Sequence, residues 1–305
     1  MDILCAGELL VDLASVAPAG SLAEATAFAP HPGGSPANLA ANLTRLGKSA
    51  GLVAAVGGGS LGESLLGHVR DLGLDAGLVT RVDDLPSTLV LVTRTTGTPD
   101  FRVYRGADAH LSWEALARGL ARGPRVFHTT CFALGGLPAR SRLLRAAAAF
   151  AKTGGTLSLD ANYAPEVWPE RERARAVVGE YAGRGALVKV SEDDWGRLYG
   201  EALTLGNCGE RAGSLLAAGA RAVCCTFGGE GAAVVSPDGV ERLPPEPVEI
   251  VDATGAGDAF WAGFLAAYVD GLPLAACARA GGRVAAVKLR HRGPLKQALD
   301  YTALS

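Results

Sequence analysis

The residues Val251–Asp252–Ala253–Thr254–Gly255–Ala256–Gly257–Asp258–Ala259–Phe260 bring together the types most able to do chemistry, and an apolar run of helical character follows them through Tyr268. The glycines therefore form a turn that opens a helix. The amides of Gly255, Ala256 and Gly257 can converge on an anion there, because a helix start has unpaired N–H groups and the positive end of the helix dipole. A carboxylate at Asp258, in the first turn beside such a cradle, suits a general base that takes a proton from an attacking hydroxyl. The same residue type also caps helices, and Gly255 and Gly257 also serve tight turns, so spacing alone leaves both readings standing.

A second constellation, Pro32–Gly33–Gly34–Ser35–Pro36–Ala37–Asn38–Leu39–Ala40–Ala41–Asn42, again sets glycines before a helix and adds an amide at Asn38. Gly33 and Gly34 would let a small ligand approach the backbone closely. The competing reading is a helix start with Ser35 as N-cap and Pro36 at the first helical position, which needs no ligand.

The elements that must position these groups are legible as apolar runs of strand length: Ile3–Ala6, Gly51–Val56, Val126–Thr129, Thr156–Leu159, Leu187–Val190 and Val223–Phe227. Helical patterns alternate with them near Pro36–Leu46, Leu61–Leu72, Pro138–Lys152, Asp193–Tyr199 and Arg211–Ala217. Buried parallel strands alternating with helices specify an α/β fold, a mostly parallel sheet covered on both faces. Two segments, near 8–32 and 79–108, break the rhythm, with β-like runs at Leu89–Thr93 and Phe101–Tyr104 separated by a Thr-Thr-Gly-Thr-Pro-Asp turn. Such a hairpin does not fit a parallel core, and it is expected to form a small β lid or subunit contact on one α/β domain spanning 1–305.

With 29 Lys and Arg against 31 Asp and Glu, a formal charge of −2 provides no basic field for a polyanion, which excludes nucleic acid as the expected partner. The basic run Lys288–Leu289–Arg290–His291–Arg292 follows a helical stretch, where cations complement a helix C-terminus or lie in solvent. Six cysteines at 5, 131, 208, 224, 225 and 277 form no C-x-x-C pair and sit among apolar neighbours, as buried thiols in a reducing, cytoplasmic setting do. The N-terminal MDILCAGELLVDL lacks a basic n-region and is expected to be a first strand, and no run is long enough to span a membrane. The five histidines show no metal-ligand spacing. Phe101, Tyr104 and Trp113 are expected to pack rather than to cover a ligand.

GGSPANLAANLTRLG and DATGAGDAFWAGFL, in that order, resemble the two signature motifs of the ribokinase-like (PfkB) carbohydrate kinases. GELLVDL at 7–13, SLDANYAPEVW at 158–168, LVKVSEDDW at 187–195 and TFGGEGA at 226–232 extend the resemblance over nearly the whole chain. It implies an ATP-dependent sugar kinase in which Asp258 is the base and Gly255, Ala256 and Gly257 are the anion hole. It further implies that Asp12, Gly33, Gly34 and Asn38 hold sugar hydroxyls, and that Arg105 approaches the sugar or the transferred phosphate. Lys189, Ser191, Thr226, Gly228, Gly229 and Gly231, with Gly255 and Gly257, fall on the nucleotide side. Asp194 is a candidate outer-sphere contact for Mg²⁺, and Asp252 matches the family's aspartate beside a monovalent cation, implying potassium. A homodimer through the lid is part of the same expectation. No Walker-type Gly-Lys-Ser/Thr loop is present.

GELLVDL and Asp160–Trp168 resemble fructokinases and 2-keto-3-deoxygluconate kinases, which makes fructose the expected acceptor. Ala164 stands where relatives commonly have Arg, and the missing guanidinium argues against a sugar acid. Gly281 stands where an Asn often backs the nucleotide base, so close packing or adenine approach is expected there instead. Other acceptors on the same fold are a keto-deoxy sugar acid, a pentose or a nucleoside. A rival of another class is a non-catalytic sugar or nucleotide sensor.

Overall fold

The computed structural model describes residues 1–94, 100–291, 295 and 297–303. The Thr95–Pro99 part of the expected hairpin turn and Arg292 of the basic run lie outside these residues. Thirteen strands are described: β1 (Ile3–Ala6), β2 (Leu10–Pro18), β3 (Phe28–Gly33), β4 (Ala50–Gly57), β5 (Val79–Val82), β6 (Leu89–Arg94), β7 (Phe101–Tyr104), β8 (Val126–Thr130), β9 (Thr156–Asp160), β10 (Leu187–Ser191), β11 (Ala222–Thr226), β12 (Ala232–Ser236) and β13 (Gly239–Leu243). The helices are α1 (Ser35–Arg45), α2 (Gly59–Asp71), α3 (Trp113–Leu120), α4 (Cys131–Leu134), α5 (Ala139–Ala151), α6 (Arg171–Ala182), α7 (Glu192–Tyr199), α8 (Cys208–Ala217), α9 (Ala256–Val269) and α10 (Leu274–Leu289).

Nine strands form one sheet in the order β13-β12-β11-β10-β9-β8-β1-β4-β5, parallel from β11 to β5, with β12 and β13 antiparallel at one edge. All four residues of β1 and all five of β8 and of β9 are buried. Helices cover both faces of the sheet, so β1 is apolar throughout while the polar residues of β8 and β9, among them His128, Ser158 and Asp160, are buried as well. Two cores result, one centred on Phe127, Trp168, Tyr181 and Trp195, the other on Leu39, Leu43, Trp261 and Phe264.

The second sheet has the order β3-β2-β6-β7, with β2 and β6 parallel and the two outer pairs antiparallel. The expected boundary of this segment changes in one respect. Val79–Val82 pairs with β4 and completes the edge of the main sheet, because its register continues the apolar strand Ala50–Gly57. The strand expected to reach Phe227 ends at Thr226, where the chain turns through a short 3₁₀ segment, Gly228–Glu230, into β12. Phe101 and Trp113 pack against the core, and the Arg145 guanidinium lies 3.8 Å from the centre of the Trp113 ring. Tyr104 does not pack, being 59% exposed.

All six cysteines are buried and unpaired. No described helix is long and apolar enough to cross a membrane.

Candidate active site

The C-terminal ends of the parallel strands converge on one rim, where ligands bind in open α/β sheets. Thr130, Asp160, Ser191 and Thr226 are the last residues of β8, β9, β10 and β11, and Glu8 follows two residues after β1. The register places Thr130 beside Asp160 and Ser191 beside Thr226. Against this rim stand the N-termini of α1 and α9. The indole of Trp261 in α9 donates to Ser158 Oγ of β9 at 3.0 Å and fixes the depth of that helix on the sheet.

Gly255, with φ 74°, is the N-cap of α9, so Ala256, Gly257 and Asp258 are its first three residues; the Ala256 amide, expected in the anion hole, donates to the Ala253 carbonyl at 3.1 Å and is engaged within the turn. Asp258 does not cap its own helix. Its Oδ1 accepts the Ser35 hydroxyl at 2.7 Å and its Oδ2 accepts the Asn38 amide at 2.9 Å, both from α1. The expected Ser35 N-cap gives way to this arrangement: Gly34 is the cap, Ser35 is already helical, and its hydroxyl goes to the carboxylate instead. Gly34 sits at φ 107°, and a Cβ there would strike the Glu8 carbonyl, so only glycine lets the chain turn into α1 at this point. Asn38 thus touches Asp258 directly and orients it.

Burial lifts the Asp258 carboxyl above the ordinary aspartate range, against the hydrogen bonds from Ser35 and Asn38 that favour its ionised form. Asp12, on β2, is pushed up to about 6, first by burial and then by the negative charge of Asp258. Two carboxylates that sense each other are therefore brought together from residues 246 positions apart. Gly33 backs Asp12: a Cβ on Gly33 would overlap the Asp12 carboxylate.

Beneath the α9 turn lies an ion pair. Lys189 Nζ is 2.9 and 2.8 Å from the two carboxylate oxygens of Asp160, both residues being buried. A Cβ on Gly257 would come within 3.2 Å of the same Nζ, which places this cation directly against the turn that opens α9. Burial alone would lower the Lys189 ammonium, but Asp160 and Asp194 outweigh it and hold it above its ordinary value, so it is charged. Lys189 therefore acts from below the turn.

Ser191 caps α7, accepting the Asp194 amide at 3.0 Å while donating to the Asp194 carboxylate. Asp194 is pushed up to about 6, mainly by burial, with Lys189 opposing. Thr226, Gly228, Gly229 and Gly231 form a compact loop closed by Phe227 N–H donating to Gly231 C=O at 2.9 Å.

Arg105 follows β7, and Asp108 holds it through Nε at 3.0 Å and through Nη2 at 2.9 Å. Asp108 also accepts the Thr88 hydroxyl, and the guanidinium lies 5.1 Å from the centre of the Phe132 ring. Its Nη1 is buried and has no hydrogen-bond partner among the described residues.

Glu8 carries a role that the sequence reading missed. It is 2% exposed, accepts the Thr130 hydroxyl at 2.7 Å and the Ser35 amide at 3.3 Å, and so braces the start of α1. Burial pushes its carboxyl up to about 8. An acidic residue two positions after an apolar strand and directly before another apolar run was the available signal.

Two further expectations are corrected. Lys288 is neither solvated nor a loose helix-end cation: it is 2% exposed, and its ammonium donates to both the carbonyl and the carboxylate of Asp252. The residues at Asp252 consequently do not fit a dissolved potassium ion. At Gly281 the reason for glycine is helix packing, since a Cβ would sit 2.7 Å from the Phe260 carbonyl of α9. Among the described residues no group of three or more His, Cys, Asp or Glu is arranged to hold a metal.

A family model described as "pfkB family carbohydrate kinase" matches residues 1–299. The chain belongs to this family. It is 31% identical over 303 residues to the ATP-dependent 6-phosphofructokinase of Thermoanaerobacterium thermosaccharolyticum, covering 99% of this chain and 92% of that protein. It is 35% identical over 257 residues to Fructokinase-1 of Oryza sativa subsp. japonica, covering 83% and 79% respectively. The crystal structure of a sugar kinase from Pyrococcus horikoshii in complex with ATP superposes with a TM-score of 0.83 at 25% identity, covering 99% of this chain and 97% of that one. The expected ribokinase-like α/β architecture and kinase class are borne out together.

Proposed function

We propose that this pfkB-family carbohydrate kinase transfers the γ-phosphoryl group of ATP to a hydroxyl of fructose. The observation that carries the reading is Asp258, held by Ser35 and Asn38 at the head of an anion-binding turn and coupled electrostatically to Asp12. Asp12, Gly33 and Gly34 line the acceptor side, with Asn38 fixing the base. As the acceptor oxygen bonds to phosphorus and the bond to the ADP oxygen breaks, the hydroxyl proton passes to an Asp258 oxygen. Phosphoryl transfer has a loose transition state, so alignment and charge stabilisation supply most of the catalysis. The amides of Gly255 and Gly257, backed by the Lys189 ammonium, meet that charge.

The Thr226–Gly231 loop and Ser191 take the nucleotide side, supported by the likeness to the ATP-bound sugar kinase. Mg²⁺ bound with the nucleotide would neutralise the charge of its phosphates, and Asp194 is the residue that would help hold it. The buried, unpartnered Nη1 of Arg105 supports a ligand oxygen as its acceptor. The exposed Val16 and Tyr104 on the second sheet support a homodimer through this lid, and six unpaired buried cysteines support a cytoplasmic setting.

A second acceptor, fructose 6-phosphate, is favoured by the nearly full-length likeness to a 6-phosphofructokinase. ADP release from ATP and Mg²⁺ with fructose, fructose 6-phosphate, ribose and 2-keto-3-deoxygluconate separates the readings. A preference for fructose is expected; a preference for the phosphorylated sugar establishes the second reading. Sugar and ATP binding without ADP release for any acceptor would indicate a sensor.

A further inference from the structure

Lys288 lies in the last turn of α10, 2% exposed, and its Nζ donates to three oxygens. They are the Asp252 carbonyl at 2.9 Å, the Asp252 carboxylate Oδ2 at 3.1 Å and the His291 carbonyl at 3.4 Å. Two carbonyls and a carboxylate converging on one point are the kind of hard oxygen donors that hold a desolvated cation. An ammonium has three donors and one positive charge, so this set matches it in both number and charge. A dissolved potassium ion at Asp252 would have to take the same oxygens and lie beside a buried like charge.

The contact reaches the reactive turn through a short chain of bonds. Asp252 Oδ1 accepts the Thr254 amide at 3.0 Å, one residue ahead of the Gly255 cap. The Val251 and Asp252 amides donate to the Leu289 carbonyl at 2.8 and 3.3 Å. The end of α10 therefore fixes residues 251–254, and these fix where the Gly255–Gly257 amides and Asp258 begin α9.

We propose that the Lys288 ammonium is a tethered monovalent cation, so that this kinase needs no dissolved potassium, and that Lys288 is a positioning residue for the anion-binding turn. The inference rests on membership of the carbohydrate kinase family and not on which sugar is the acceptor. In a kinase whose turn is held by a dissolved ion, activity follows the ionic composition of the medium; here the ion is covalently part of the chain.

The test has two arms. For the wild-type enzyme, the turnover rate and the melting temperature are measured in potassium, sodium and tetramethylammonium chlorides at constant ionic strength. Both are expected to be the same within error in all three. In Lys288→Ala, which vacates the ammonium position but keeps Asp252 and the His291 carbonyl, kcat is expected to fall at least 10-fold while KM for the sugar moves little. Potassium or ammonium should then raise both kcat and the melting temperature saturably, and tetramethylammonium, too large for the site, should raise neither.

A wild-type enzyme activated several-fold by potassium would overturn the proposal. So would a folded Lys288→Ala that gains neither rate nor melting temperature from potassium, since Lys288 would then be a structural contact only. If Lys288→Ala does not fold, the wild-type arm decides. If no acceptor is turned over, the melting temperatures decide, which keeps a wrong sugar distinct from a wrong cation assignment.

Discussion

Substituting Glu8 by Gln removes a titration that the fold forces into the neutral range. The folded-state value of Glu8 is about 8 against an ordinary 4.5, chiefly because the carboxyl is buried. The folded protein therefore keeps a proton that the unfolded chain has already released, and stability falls as pH rises between those values. Below pH 6.5 other groups blur the effect: His128, buried and pushed down to about 3, contributes in the opposite sense, while Asp12 and Asp194 titrate near 6. Between pH 6.5 and 8 Glu8 has the window largely to itself, with Asp258 displaced in the same direction. At about 1.4 kcal/mol per pH unit, Glu8 alone removes about 2 kcal/mol over that window. For a chain of this length that is about 3 °C in melting temperature. Gln does not titrate, so the difference between the two proteins isolates this group whatever Asp258 does. Thermal unfolding of both at half-unit steps from pH 6.5 to 8 should give wild-type temperatures that fall relative to Glu8→Gln. Parallel curves across the window would refute the claim that Glu8 is held neutral under the start of α1.

Two other perturbations follow from the same geometry. Asp12 and Asp258 act as carboxylates, and both are displaced upward, so the acid limb of kcat/KM for the sugar should lie near pH 6 rather than near 4; a profile flat down to pH 5 would contradict this. Gly281→Ala adds a methyl 2.7 Å from the Phe260 carbonyl and 3.2 Å from its ring, and should destabilise the protein by about 1–3 kcal/mol in urea titration, whereas an unchanged midpoint would mean that α9 and α10 are not so tightly packed.

The fold was largely readable because its signals are local: apolar runs for buried parallel strands, and glycines marking the starts of α1 and α9. The Gly255–Asp258 turn was readable as a helix start from its spacing, but its residues alone left a cap and a base equally open, and the ordered resemblance motifs supplied the role. What escaped reading depends on partners far along the chain. Ser35 looked like a cap because its acceptor, Asp258, lies 223 residues away. Lys288 looked like a helix-end cation because Asp252, 36 residues before it, meets it only through the pairing of α9 with α10. Lys189, inside the apolar run of β10, and Asp160, at the end of β9, are the pair that sequence could have matched, since two buried opposite charges on neighbouring strands require each other. Glu8 gave the weakest signal, one carboxyl among apolar neighbours whose bracing of α1 appears only once Thr130 and Ser35 are brought beside it.

The central claim is that Asp258 accepts the acceptor proton on a turn built to hold the transferred phosphate. Asp258→Asn keeps an oxygen for Ser35 and the shape of the side chain while removing the base. ADP release with the preferred sugar, measured alongside sugar and ATP affinity for both proteins, tests it most directly. The account predicts that kcat falls by about 10²–10⁴-fold with ligand affinities nearly unchanged. An Asp258→Asn enzyme that turns over within a few-fold of wild type would contradict it.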